Sequence, residues 1–304
     1  HCLLRRQRQM CIRDRLVDSL DALDDIFHYS PLIVVTHCED PQRVVDNEKL
    51  FYEKYGDDLC AEQHHLIRDV ESCYLSSSLA VSLAKKYDAD LHVFHLTTEK
   101  EMELFTEGDV IGKKITAEVC VHHMHFEESS YAELGNQIKC NPSIKYESDR
   151  QALIQALLNN KIDIIATDHA PHTWDEKMMK YQKAPAGLPL VQHGLQILMD
   201  FYHQGILSLE TIAEKTSHNV AKRFQVKDRG YIREGCYADI VIVDLDKKYE
   251  VTNDNILYKC AWSPFLGKTF NSSIYMTICN GHIAFQDGQL NNDIPLGMQI
   301  EFDR

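Results

Sequence analysis

Asp168, His169 and His172 fall within one short stretch, directly after Ile162-Asp-Ile-Ile-Ala-Thr167. The apolar, β-branched run reads as a buried strand. A carboxylate and imidazoles at the mouth of such a strand can hold a divalent metal and move a proton. Taken alone, the segment has a plainer alternative, an aspartate capping the next turn beside solvated histidines. The arrangement recurs, however. Leu32-Ile-Val-Val-Thr36 ends at His37, followed by Cys38, Glu39 and Asp40, and Leu91-His-Val-Phe-His-Leu96 carries His95 near its end. Alternation along a strand puts Leu91, Val93 and His95 on one face and His92 on the other. Three strands that each deliver a ligand-type residue at the C-terminal end match the place where parallel α/β barrels keep their active sites.

Other suggestive residues have plainer readings. His122, His123 and His125 look like a metal cluster, but neighbours on a strand point to opposite faces, so the three are not expected to converge. His64 and His65 follow an acidic loop and read as surface or supporting residues. Cys120, Cys140, Cys260 and Cys279 sit in apolar contexts and read as small core residues.

The elements that must carry these residues alternate. Residues 16–29 have a helical pattern and lead into a strand at 32–36. Residues 41–56 are polar, a loop or irregular helix. Val70, Tyr74, Ala80, Leu83, Ala84 and Tyr87 mark a helix over 70–87 that feeds a strand at 91–96. A short helix at 99–105, a strand at 115–121, a helix at 148–158 with Ser148 as N-cap, and the strand at 162–167 follow. This order implies a parallel sheet. After a long helix at 209–224 the chain changes character. Residues 230–244 and 273–285 are strand-rich with Glu-Gly and Asn-Gly turns, a small β domain.

Composition narrows the class. The chain has 304 residues, 44% hydrophobic and 26% charged, enough for one large domain and a satellite. A net charge of -14 disfavours nucleic acid and anionic membranes as partners. No apolar run approaches the ~20 residues of a membrane span. Ten cysteines without a CxxC pair point to reduced thiols and a cytoplasmic location. Residues 1–15 hold five arginines in an otherwise acidic chain and read as a non-native head.

Thr167-Asp-His-Ala-Pro-His172 resembles the signature of dihydroorotases in the amidohydrolase superfamily. Thr36-His-Cys-Glu-Asp40, Leu91-His-Val-Phe-His-Leu-Thr97, Thr116-Ala-Glu-Val-Cys-Val-His-His123, Lys139-Cys-Asn-Pro-Ser-Ile-Lys145, Ala184-Pro-Ala-Gly-Leu-Pro189 and Trp262-Ser-Pro-Phe265 resemble further landmarks of that family, in order, from about Leu16 to the C-terminus. Pro189-Leu-Val-Gln-His193 and Val119-Cys-Val-His-His-Met124 are similar to a Bacteroidetes-type subgroup.

The resemblance implies a fold and a site. The fold is α/β, the C-terminal half of a TIM-type hydrolase barrel (strands five to eight, residues 16–228) with a small β domain over 229–304 that forms part of a composite β-sandwich. His37 and His95 match ligands of one ion of a binuclear Zn2+ centre. Asp168 matches the carboxylate that binds metal and acts as general base. Asn141, His172, Ala186 and Gly187 match substrate-binding positions. His123 matches a recurring histidine near the site, Trp262 a landmark at the barrel base or domain junction, and Asp239 a structural position of the β domain. The implied reaction is reversible hydrolysis of dihydroorotate to N-carbamoyl-aspartate in pyrimidine synthesis, by an enzyme compatible with homo-oligomer formation.

The chain also departs from the pattern. No His-x-His precedes His37, and the bridging ligand of the binuclear centre is missing with it. The expectation is therefore an N-terminally truncated and inactive piece of a dihydroorotase. Hydantoinases, dihydropyrimidinases and allantoinases are the rivals, and their motifs usually lack the Ala-Pro-His continuation at 170–172. A non-catalytic amidohydrolase-like scaffold is the other alternative. Such proteins lose metal ligands, whereas His37, His95 and Asp168 are all present here.

Overall fold

The computed structural model describes residues 19–291 and 297–303. The head at residues 1–15 lies outside the described residues. The first helix, α1 (Leu20–Tyr29), is capped by Ser19 and buries Phe27. Strand β1 (Val34–Thr36) follows, then α2 (Pro41–Tyr55). Where the sequence suggested a loop or irregular helix over 41–56, α2 is regular. Asp40 accepts from the Arg43 N–H at 2.8 Å, Pro41 presets the first turn, and the helix buries only Val44, so it needs little apolar periodicity.

Helix α3 (Val70–Tyr87), capped by Asp69, feeds β2 (Leu91–Val93). Strand β3 (Ile115–Cys120) runs into a short helix, α4 (Val121–His125), and α5 (Glu147–Leu158) leads to β4 (Ile164–Ala166). The four strands form one parallel sheet in the order β1-β2-β3-β4, with Val34 opposite Leu91, Leu91 opposite Ile115 and Glu118 opposite Ile164. Its apolar side chains, among them Leu91, Val93, Ala117, Val119 and Ile165, join the main core with Val81 and Ala84 of α3 and Leu153 and Leu157 of α5.

The strands are shorter than their apolar runs. His95 (φ 38°) and Asp168 (φ 46°) adopt left-handed backbone just past β2 and β4. That conformation breaks the extended ladder where the ligand-type residues begin. Strand β3 ends one residue early because Val121 already starts α4. Ser148 does not cap α5: the helix begins at Glu147, and Asp149 accepts from the Tyr146 N–H at 3.3 Å and from the Glu99 N–H at 2.8 Å.

The long helix at 209–224 is helical throughout, but Glu214–His218 form a π turn between Leu209–Ala213 and Asn219–Phe224. The turn lets two side chains reach the foot of β4. Buried Lys215 donates to Asn160 Oδ1 at 2.7 Å and the Ile162 carbonyl at 2.9 Å, and Asn219 donates to the Asp163 carbonyl at 2.9 Å.

In the C-terminal part, β5 (Ile240–Asp244), β8 (Ser273–Cys279), β9 (His282–Gln286) and β10 (Gln289–Leu290) form an antiparallel sheet in the order β10-β9-β8-β5. Strands β6 (Tyr249–Glu250) and β7 (Thr269–Phe270) pair separately. The expected strand content of 230–239 is instead turns. Asn280-Gly281 does make the expected hairpin, with φ of 52° and 80°. Asp239 is structural, paired with Arg229 and accepting from the Asn280 N–H at 2.8 Å. Among the described residues the cysteines are free; Cys120 and Cys140 are buried as expected, whereas Cys260 and Cys279 are only partly so.

Candidate active site

His37 follows β1 and His95 follows β2, and their rings meet: His37 Nδ1 lies 3.0 Å from His95 Nε2. Two imidazole nitrogens so placed can share one proton or face one cation. The far nitrogen of His37, Nε2, is 2.9 Å from Glu39 Oε2, and Arg68 donates to the same oxygen at 2.5 Å. A carboxylate behind a ligand-type histidine fixes its tautomer and raises its basicity. Burial pushes the Glu39 carboxyl up, but Arg68, assisted by His37, overrides it and holds the group below the usual carboxylate range. Burial, reinforced by His37, holds His95 well below its ordinary value. The lowered value leaves the His95 imidazole neutral, the form that ligates metal.

Asp168 stands after β4 and remains open to solvent. The protein packed around it still displaces enough water to push its carboxyl up, against the pull of the His37 ring. A raised carboxyl suits a group that accepts a proton and later returns it.

The expected substrate-side residues gather on two loops. His172 is paired with the Ala186 carbonyl at 3.0 Å through Nε2, and the Gly187 N–H donates to the Lys139 carbonyl at 2.8 Å. Gly187 has φ +133°, and a Cβ there would lie 2.4 Å from the Ala170 carbonyl oxygen and 3.2 Å from the His172 ring. Only glycine permits that approach. Asn141 follows Lys139 and Cys140 on the facing segment, and its Oδ1 is buried with no hydrogen-bond partner among the described residues. Lys177 stitches the loops together. It is fully buried and donates to the carbonyls of Lys139, Pro185 and Gly187 at 3.1, 3.0 and 3.0 Å. His169 is structural, accepting from the Leu190 N–H at 2.9 Å.

Several sequence readings change. His64 is buried, not a surface residue; its ring joins Tyr181 Oη at 2.7 Å and the Cys140 carbonyl at 2.8 Å, bracing the Asn141 segment. His122 and His123 lie on helix α4 rather than a strand, so their rings do approach, with centroids 4.0 Å apart. Of the two places expected for Trp262, the contact found is with the 16–228 part: its Nε1 donates to the His172 carbonyl at 2.7 Å. Glu39 stood inside a recognised motif, and a carboxylate two residues after a candidate ligand was the signal for its role. Arg68 and Lys177 carried no such signal, because their partners are remote or main-chain atoms.

The model of the Amidohydrolase family matches residues 79–284. A dihydroorotase of Macrococcus caseolyticus is 35% identical over 210 residues, 69% of this chain and 49% of that protein. A dihydroorotase of Carboxydothermus hydrogenoformans is 31% identical over 264 residues, 84% of this chain and 58% of that protein. The chain thus spans about half the length of the curated relatives it matches. Among solved structures, L-hydantoinase (dihydropyrimidinase) from Arthrobacter aurescens superposes with a TM-score of 0.81 at 22% identity, over 89% of this chain and 61% of that one. Dihydropyrimidinase from Brevibacillus agri gives 0.82 at 19%, over 92% and 63%. These two share the fold, a TIM-type hydrolase with a C-terminal β part. The family match covers strands β2 to β4 and the candidate site residues from His95 onward, leaving His37, Glu39, His64 and Arg68 before it, and on that evidence the chain belongs to the amidohydrolase family.

Proposed function

We propose that the complete protein is a dihydroorotase, opening the cyclic amide of dihydroorotate to N-carbamoyl-aspartate and closing it in reverse. The observation that carries this reading is the pairing of His172 with the Ala186 carbonyl, next to Gly187, whose N–H donates to the Lys139 carbonyl two residues before Asn141. Neutral amide and imidazole groups there can hydrogen-bond an anionic ring without burying a fixed charge. The relatives named dihydroorotase support the same substrate, whereas the hydantoinase structures speak only to the fold.

By the chemistry of two imidazoles that meet at 3.0 Å and a carboxylate, we propose that His37, His95 and Asp168 would hold one divalent cation, Zn2+. When bound, the ion would activate water and polarise the amide carbonyl. The chain's own residues do the rest. Asp168 takes the proton that the attacking water gives up and hands it to the leaving ring nitrogen. Glu39 and Arg68 keep His37 oriented. Asn141 and His172 hold the ring, and Gly187 lets the main chain approach it. The binuclear centre needs ligands that do not occur before His37, so we propose that the 304-residue chain by itself is inactive. We further propose a cytoplasmic location and no macromolecular polyanion as partner, from free thiols and the acidic balance. Among the described residues no helix is long and apolar enough to cross a membrane.

The test compares dihydroorotate with hydantoin as substrates of the complete protein, for the native sequence and for Asp168→Asn. Dihydroorotate should be turned over in preference, and Asp168→Asn should abolish turnover with metal content largely kept. Preference for hydantoin would refute the substrate, and full activity of Asp168→Asn would refute the base.

A further inference from the structure

A second group of ligand-type residues lies near the His37–His95 pair, close enough for His122 and His123 to bear on His95. Cys120 is the last residue of β3 and α4 begins at the next position. The change from extended to helical backbone swings side chains that a strand would have opposed onto one side. Cys120 Sγ and one ring nitrogen each of His122 and His123 lie within 4.8 Å of one another. All three are buried, exposed by 0%, 0% and 3%.

Their hydrogen bonding is incomplete in a way that points to a ligand. His123 Nε2 is paired with the Pro142 carbonyl at 3.1 Å, which leaves Nδ1 as the free lone-pair nitrogen. Neither that Nδ1 nor either nitrogen of His122 has a hydrogen-bond partner among the described residues. Buried polar groups are ordinarily satisfied, and three orphan nitrogens in one spot are costly unless something occupies the space between them.

We propose that Cys120, His122 and His123 form a second metal site, made of donors other than the His37–His95 pair, that takes a thiophilic divalent ion of the zinc type. One thiolate and two neutral imidazoles are a donor set zinc favours, with sulfur at ~2.3 Å and nitrogen at ~2.0–2.1 Å. Ligand atoms around such an ion stand about 3.3–3.8 Å apart, so closure from the metal-free geometry needs about 1 Å of side-chain movement. The protonation states are favourable for the histidines: burial holds His122 down to about 3, so it is neutral throughout the physiological range. Burial raises the Cys120 thiol, so the thiol enters protonated and binding displaces its proton. The balance is one Zn2+ bound, one S–H bond broken and one proton released to solvent, with no change of oxidation state. Three protein ligands leave a fourth position for water or another donor. The inference does not rest on the dihydroorotase reading.

Cobalt(II) replaces zinc as a visible probe. Titrated into the full chain, it should give a thiolate-to-cobalt charge-transfer band in the near ultraviolet. The His37–His95 pair and Asp168 contain no sulfur donor and cannot produce that band. Cys120→Ser should abolish it, and His122→Ala should weaken cobalt binding by more than the ~10–100-fold that losing an outer-shell partner costs. His37→Ala should leave the band intact. A zinc absorption-edge measurement on the unmutated chain, needing no variant, should show one sulfur scatterer at ~2.3 Å. Absence of both the band and the sulfur scatterer overturns the proposal. So does a band that survives Cys120→Ser or disappears in His37→Ala.

Discussion

His37 Nδ1 stands 3.0 Å from His95 Nε2 although 58 residues separate them in the chain. Parallel pairing of β1 with β2 sets Thr36 opposite Val93, so the residues just beyond each strand emerge side by side at one end of the sheet. The left-handed turn at His95 then aims its ring back toward His37. Removing either ring should therefore do more than lose one contact. We expect His95→Ala to lose zinc at this pair, and Glu39→Gln, which leaves both rings but weakens the support behind His37, to lower affinity by ~10–100-fold. Competition against a chromophoric chelator measures both, with Cys120→Ser as the background so that only this pair is read. Unchanged affinity in Glu39→Gln would mean the carboxylate serves Arg68 and not the ligand.

Lys177 should be indispensable to the loops it holds. Its ammonium is fully buried among main-chain carbonyls, and burial pulls it down to about 7. Lys177→Met fills the space but leaves three carbonyls without a donor, at a cost on the order of 1–3 kcal/mol. Urea unfolding should show that loss, and limited proteolysis should cut faster between 183 and 192. Equal protease resistance would show that the loops are held by their other contacts, Gly187 to Lys139 among them.

Gly187→Ala meets both a clash and an unfavourable backbone. The added methyl would sit 2.4 Å from the Ala170 carbonyl oxygen at φ +133°. The loop must shift, at a cost of order 1–3 kcal/mol if it stays in place. We expect weaker ligand binding in the complete protein with zinc content unaltered. Native affinity for dihydroorotate in Gly187→Ala would remove this loop from the substrate site.

Stability should fall with acid in a window set by buried histidines. Burial holds His193 and His125 down to about 4, whereas an unfolded chain titrates them near ~6.5. Between those values the unfolded chain binds protons that the folded one refuses. The stability from keeping these rings neutral is fully present above about pH 6.5 and is lost as pH falls toward 4. Each kcal/mol lost should lower Tm by ~2–4 °C in a chain of this size. A Tm that stays level from pH 7 to pH 4.5 would contradict the assignment.

Much of this was legible before folding. Short β-branched runs that end in His37, His95 and Asp168 announced parallel strands with their chemistry at one end, because burial of both sheet faces demands continuous apolar sequence. The α3 spacing and the Asn280-Gly281 turn were equally local signals. Helix α2 was not legible, since a helix capped by Asp40 and Pro41 that buries a single valine leaves almost no periodic trace.

By itself the sequence determined which segments could be strands, where the ligand-type side chains would emerge, and the family resemblance carried by ordered motifs. Tertiary structure alone decided the partners. Arg68 behind Glu39, Lys177 across two loops, and His64 beneath Cys140 are pairings over distances in sequence that no local pattern encodes. It also decided the fate of His122 and His123. Strand alternation would have parted them, but β3 ends at Cys120 and the backbone turns helical there, so side chains two and three positions on come round to the same side as the thiol.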